Sequence, residues 1–132
     1  MKIVLSSAQL SQLVQLAKDS LPNESCAFLL GRGDSEVTIK EIMPMENTDA
    51  SRVSFTISPD ETLRAYRLAE DRGMQVVGIF HSHPSLPSPS GTDARFMEVN
   101  PVVWVIYSTT ASKFGAWVFD DGVKEVEMAT MA

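Results

Sequence analysis

The segment Ser58 to Phe80 constrains the fold more than any other, because it reads as a helix marked at both ends that feeds directly into a buried strand. Ser58-Pro59-Asp60-Glu61 supplies an N-cap hydroxyl, a proline at the first helical position, where no amide hydrogen is needed, and the acid of a capping box. The helix is predicted to run through Arg72 and to stop at Gly73, which can turn left-handed without steric cost. Gln75 to Phe80 then reads as a strand, with the unbroken apolar run Val76-Val77-Gly78-Ile79-Phe80 burying it. A strand of that kind needs cover, so the chain is committed to a sheet flanked by helices.

The remaining punctuation fits the same plan. Ser6-x-x-Gln9 is a capping box before Leu10, Leu13, Val14 and Ala17, which line one helix face, and Pro22 ends that helix. Cys26 to Leu30 and Val37 to Met43 read as strands around a turn at Gly31 to Asp34. That turn contains Arg32-Gly33-Asp34, a cell-adhesion tripeptide on paper, but a hairpin turn wants these same residues. Pro44 to Ser51 reads as a loop and Val53 to Ile57 as a further strand. Pro84, Pro87 and Pro89 stiffen a loop after the buried strand, with Ser82, Ser85 and Ser88 read as loop residues, and a short helix from about Gly91 to Val99 is closed by Asn100-Pro101. Val102 to Tyr107, Phe114 to Phe119 and Val123 to Met128 complete the strands, the last two joined by Asp121-Gly122, and Ala129 to Ala132 should fray. The order predicts one α/β domain over residues 1–132, with a mixed sheet and flanking helices.

Composition removes several classes of function. A net charge of -6 over 132 residues, without a cluster of Lys or Arg, argues against nucleic acid as a partner. Met1 to Leu5 is too short for a signal-peptide core and no window approaches the length of a membrane span, so no membrane association and a cytoplasmic location are expected. Cys26 is the only cysteine, which excludes an internal disulfide and a thiolate-rich metal site and reads as a small buried apolar residue. Trp104 and Trp117 fit either the core or a homodimer interface.

The buried strand ends in the chain's only histidines, His81 and His83, in His81-Ser82-His83-Pro84, and Ser90 and Asp93 follow. Two imidazoles two residues apart on a strand point to one side of the sheet. A carboxylate returned by the next turn can complete three ligands of a zinc ion and leave the fourth position for water, the layout of a hydrolytic site. Ser90-x-x-Asp93 is also a capping box for the short helix, and both roles can hold together. Such a site needs a base, and Glu24, just before the apolar run Cys26 to Leu30, is one candidate among the acids of the chain. No further histidine remains to activate a serine nucleophile.

Taken together, Glu24 in P-x-E-x-C-x-x-L-x-G and the later H-S-H-P-x5-S-x-x-D resemble the JAMM (MPN-plus) metalloprotease family over nearly the whole chain. The resemblance implies a cytidine-deaminase-like α/β fold with a curved, mostly antiparallel mixed sheet. It implies zinc held by His81, His83 and Asp93, Glu24 as general acid/base and Ser90 as oxyanion donor. Ala27 stands where the family often has glycine, a small change. The chain is too short for the insertions of linkage-selective polyubiquitin proteases, so it looks like the compact prokaryotic members. Those act on ubiquitin-like modifiers or sulfur-carrier proteins ending in Gly-Gly.

Three functions follow for comparison. The first is an isopeptidase or peptidase cutting after the terminal glycines of such a protein, with a sheet edge near the site expected to hold the extended tail. The second is a peptidase freeing cysteine from a sulfur-carrier protein, and the third an inactive binding scaffold of the same fold. The scaffold is disfavoured because all five motif positions are intact. A zinc nucleobase deaminase needs H-x-E with P-C-x-x-C, which one cysteine cannot supply.

Overall fold

The computed structural model describes residues 1–45 and 58–131. Along the chain these form β1 (Lys2–Ser6), α1 (Ser7–Ser20), β2 (Cys26–Gly33), β3 (Glu36–Met45), α2 (Pro59–Asp71), β4 (Gln75–His83), α3 (Gly91–Val99), β5 (Val103–Ser108), β6 (Lys113–Phe119), β7 (Val123–Glu125) and β8 (Glu127–Met131). The strands make one mixed sheet in the order β7-β6-β5-β4-β2-β3-β1-β8. β2 pairs antiparallel with β3 and β4, and β6 with β5 and β7, whereas β1 runs parallel to β3 and β8, and β4 to β5. Val126 alone separates β7 from β8, yet these strands lie at opposite ends of the order. The sheet therefore curls until its two ends nearly meet, and the buried Val126 fastens the join by donating its amide to the Ala116 carbonyl at 2.8 Å.

Alternation along β2 divides the core. Ala27 and Leu29 enter one cluster with Ile3, Leu5, Phe80 and the α1 residues Leu13 and Ala17. Cys26, Phe28 and Leu30 enter the other with Ala65 and Ala69 of α2, Met97 of α3 and Trp104. Side chains such as Phe28 and Leu29, fully buried, each stabilise the fold by about 1.5–3 kcal/mol. Both sheet faces are thus covered, as the apolar run in β4 demands.

The helix caps hold, although the acid of the box expected at α2 makes no reciprocal bond to its cap residue. Ser6 caps α1 through a reciprocal box with Gln9, Ser58 accepts the Glu61 amide at the start of α2, and Gly73, with φ +65, follows the end of that helix. Asp121 and Gly122, with φ +54 and +119, turn β6 into β7.

Other expectations need correction. Lys2–Ser6 is a strand that no local sequence signal predicts, held between β3 and β8 by parallel pairing. The last expected strand divides into β7 and β8, and Ala129 to Met131, expected to fray, pair with Val4 to Ser6. β3 continues through Pro44 and Met45, and β2 through Gly33, which moves the turn to Asp34-Ser35. At Gly33 a Cβ would stand 1.9 Å from the Glu36 carbonyl oxygen, so only glycine fits this hairpin end. Arg32 of the Arg-Gly-Asp triplet donates to the Gly73 carbonyl at 3.0 Å, which ties the hairpin to the end of α2. Val53 to Ile57, expected as a strand, lies outside the described residues, as does most of the expected loop before it. Trp104 is fully buried in the core, and Trp117 packs beside it and donates its indole N–H to the Pro87 carbonyl at 2.9 Å.

Candidate active site

β4 is an inner strand with β2 on one side and β5 on the other. Ile79 faces the cluster under α2 and α3, so alternation places His81 and His83 on that side and Phe80 and Ser82 on the other. The imidazoles are 1% and 4% exposed, with ring centroids 5.1 Å apart.

Asp93 reaches them from α3. That helix is anchored by the buried Met97, and Asp93 lies one turn earlier on the same face. Its Oδ1 stands 3.2 Å from His81 Nε2 and its Oδ2 3.5 Å from His83 Nε2. Oδ2 also accepts the Ser90 amide at 2.9 Å, while Ser90 Oγ accepts the Asp93 amide at 3.1 Å. The capping box therefore exists and holds the carboxylate against the imidazoles. Because Ser90 uses a lone pair for the cap, its O–H remains able to donate, and the residue lies exposed at the rim.

Glu24 arrives from the segment leading into β2, with Oε1 3.3 Å from His81 Nε2 and the side chain 5% exposed. Burial pushes its carboxyl up to about 7, against the pull of His83 and with a further push from Asp93. A carboxyl titrating near neutrality is suited to taking and returning a proton. Asp93 behaves oppositely: burial would raise it, but hydrogen bonds from His81 and His83 hold it well below the usual carboxylate range. Burial pulls His83 down, and the Asp93 carboxylate overrides this and raises it. Two neighbouring carboxyls pushed apart in this way can serve as one permanent anion and one proton carrier. Burial drives the Cys26 thiol up to about 12, with Glu61 and Glu24 adding to the shift, so it remains an inert core group.

His81, His83 and Asp93 are placed to hold a metal ion, with one ligand atom from each within 4.8 Å of the others. Their surroundings fit that task. His81 Nδ1 lies 3.4 Å from the Ser25 carbonyl and His83 Nδ1 2.9 Å from Ser85 Oγ, so partners hold the outer nitrogens while both Nε2 atoms face Asp93. His83 Nε2 is buried with only the long 3.5 Å approach of Asp93 Oδ2 to satisfy it, a costly state that a bound cation would relieve.

Two site expectations change. Ser82, expected in the loop, is a buried strand residue bonded to Ser25, whereas Ser85 does lie in the loop and from there contacts the His83 ring. The alternation that gathers His81 and His83 on one face already puts Ser82 on the other. Among the described residues no sheet edge lies beside the site, since β4 is flanked on both sides and the end strands are β7 and β8. The loop after the histidines is instead pinned to β6. A Cβ at Gly115 would stand 2.2 Å from the Pro87 oxygen, so glycine there allows the contact that Trp117 also holds.

Two imidazoles at the end of a sheet strand, a carboxylate brought to them by a helix and a buried acid against them make an α/β domain with residues placed to hold a metal ion. Comparison with known proteins agrees. Residues 6–120 match the family described as prokaryotic homologs of the JAB domain. Over 106 residues the chain is 36% identical to the desampylase of Pyrococcus furiosus, covering 80% of this chain and 73% of that protein. It is 29% identical over 108 residues to the CysO-cysteine peptidase of Mycobacterium tuberculosis, covering 81% and 73%. A solution structure of a protein from Desulfitobacterium hafniense superposes with a TM-score of 0.86 at 30% identity, covering 98% of this chain and 92% of that one. The chain belongs to the prokaryotic JAB family, within the JAMM (MPN-plus) group. Among the described residues, no helix is long and apolar enough to cross a membrane.

Proposed function

We propose that this hydrolase of the JAB family is a zinc peptidase or isopeptidase that cuts after the C-terminal Gly-Gly of a small ubiquitin-like or sulfur-carrier protein. His81, His83 and Asp93 hold the zinc, Glu24 is the general acid/base, and Ser90 donates to the oxyanion. When bound, zinc supplies Lewis acidity that polarises the scissile carbonyl and acidifies the attacking water. Glu24 takes the proton of that water and returns it to the leaving amine. The free Ser90 O–H donates to the developing negative charge at the mouth of the site.

The observation that carries this reading is geometric: the buried Glu24 carboxyl stands 3.3 Å from His81 Nε2, against the three residues placed to hold a metal ion. The substrate class is supported by similarity to a desampylase and to a CysO-cysteine peptidase. The site itself favours a glycine tail: ligands 1–4% exposed are recessed, and a main chain without side chains approaches such a group most closely. The CysO-cysteine peptidase similarity gives release of cysteine from a sulfur carrier as the second reading.

Matched modifier fusions ending in Gly-Gly and Gly-Ala, together with a sulfur carrier bearing a C-terminal cysteine, test the proposal. Replacing the last glycine should lower turnover at least about tenfold, and the preferred leaving group separates the two readings. Equal rates on both fusions would mark a general peptidase, and no cleavage of any of them would revive the scaffold.

A further inference from the structure

The serine between the two histidines contributes no group to the metal site, yet it is 1% exposed and holds the segment that carries Glu24. Past a register shift between Leu29 and Leu30, β2 and β4 pair without interruption from Leu29 opposite Gly78 to Cys26 opposite His81. The next rung, Ser25 opposite Ser82, is unusual. Ser82 donates its amide to the Ser25 carbonyl at 3.0 Å, as an antiparallel rung requires. In return, the Ser25 amide donates at 3.0 Å to the Ser82 hydroxyl, where an ordinary rung would offer the Ser82 carbonyl. The two hydroxyls lie 2.6 Å apart, which clamps the pair a second time. The same Ser25 carbonyl faces His81 Nδ1, and Glu24 is the residue immediately before.

We infer that Ser82 is a positioning residue for the base: by clamping Ser25 through its hydroxyl, it sets where the Glu24 carboxylate stands relative to His81. The inference rests on the reading of Glu24 as general acid/base. Physically, a side-chain acceptor holds the Ser25 amide farther from the β4 main chain than a carbonyl rung would, and this sets the entry of the strand. Alanine at position 82 leaves the buried Ser25 amide either unpaired or drawn in to close an ordinary rung, and both outcomes move Glu24. His81 and His83 lie on the opposite face of β4 and Asp93 comes from α3, and the Ser25 carbonyl that faces His81 Nδ1 still accepts the main-chain amide of residue 82 in the alanine variant, so metal binding should be spared. Threonine retains the hydroxyl and is favourable in a strand.

The test uses the full chain with Ser82→Ala and Ser82→Thr, each alone and combined with Glu24→Gln. kcat, KM and zinc content are measured on a Gly-Gly fusion, and amide hydrogen exchange is measured on metal-free protein. Ser82→Ala should lower kcat on the order of 100-fold, the cost of a misplaced catalytic group, with KM and zinc content unchanged and Ser82→Thr close to wild type. Combined with Glu24→Gln, Ser82→Ala should cost no more than about threefold further, because a base already removed cannot be misplaced. The Ser25 amide should exchange at least about tenfold faster in Ser82→Ala while the Phe28 amide is unaffected. Unchanged exchange at Ser25, or the same fold-loss with and without the Glu24 carboxylate, would overturn the inference alone. Full activity in Glu24→Gln by itself would overturn the reading of the base, and the inference with it.

Discussion

Helices α2 and α3 open on the same short pattern, a serine followed three residues later by an acid, and they put it to different use. In α3 the Asp93 carboxylate returns to the Ser90 amide at 2.9 Å and still presents Oδ1 to His81 at 3.2 Å. In α2 the Ser58 hydroxyl accepts the Glu61 amide at 3.4 Å, and Glu61 Oε2 is buried with no hydrogen-bond partner among the described residues. The difference lies in what the first turn faces. α3 begins beside the histidine-bearing end of β4, whereas the acid of α2 meets no imidazole. A capping box is therefore only a local device, and the tertiary partner decides whether its carboxylate also belongs to a site.

The comparison can be broken by exchanging the fates of the two acids. Asp93→Ala should leave the protein without stoichiometric zinc and without measurable cleavage, while Glu61→Ala should retain full zinc and a rate within about threefold of wild type. Metal analysis with turnover on one Gly-Gly fusion checks both, and zinc loss from Glu61→Ala would erase the distinction. Glu24→Gln should come next, losing about 100-fold to 10,000-fold in rate with zinc retained, since the amide matches the acid in shape but carries no proton.

The same substitution has a stability signature whose sign follows from the raised pKa. Glu24 rises from 4.5 unfolded to about 7 folded, so the folded chain holds a proton through that interval that the unfolded chain has lost. Its favourable contribution is complete below pH 4.5 and is lost as pH rises through about 7. Metal-free Glu24→Gln should therefore gain stability relative to wild type between pH 4 and pH 8, by on the order of 3 kcal/mol. Denaturant titrations at the two pH values would read this, and a constant difference would contradict the buried carboxyl. Smallest is the contrast of caps. Ser58→Ala should cost only about 1 kcal/mol of stability, whereas Ser90→Ala should cost that and on the order of 100-fold in rate. Intact activity in Ser90→Ala would reduce Ser90 to a cap as well.

The candidate site was legible in the sequence because its elements carry local signals. The strand ending in His81 and His83 is an unbroken apolar run, and Ser90-x-x-Asp93 announces the start of a helix. Glu24 was legible only through resemblance, since its distinguishing feature is burial beside His81, a contact 57 residues away in the chain that no local pattern records. β1 and β8 escaped for the same reason. They are strands because they pair in parallel with each other across almost the whole chain, and Lys2–Ser6 alone offers three apolar residues before a helix cap. Ser82 was obscured by Pro84, which marks a loop two residues too late to release Ser82 from the strand.

The central claim is that one zinc sits among His81, His83 and Asp93. Anomalous diffraction at the zinc edge, on crystals of the zinc-loaded protein, tests it most directly. A single strong peak per chain within about 2.0–2.2 Å of His81 Nε2, His83 Nε2 and an Asp93 oxygen is the expected result. A fully occupied peak elsewhere, or none at these three atoms in protein that cleaves its substrate, would contradict the account.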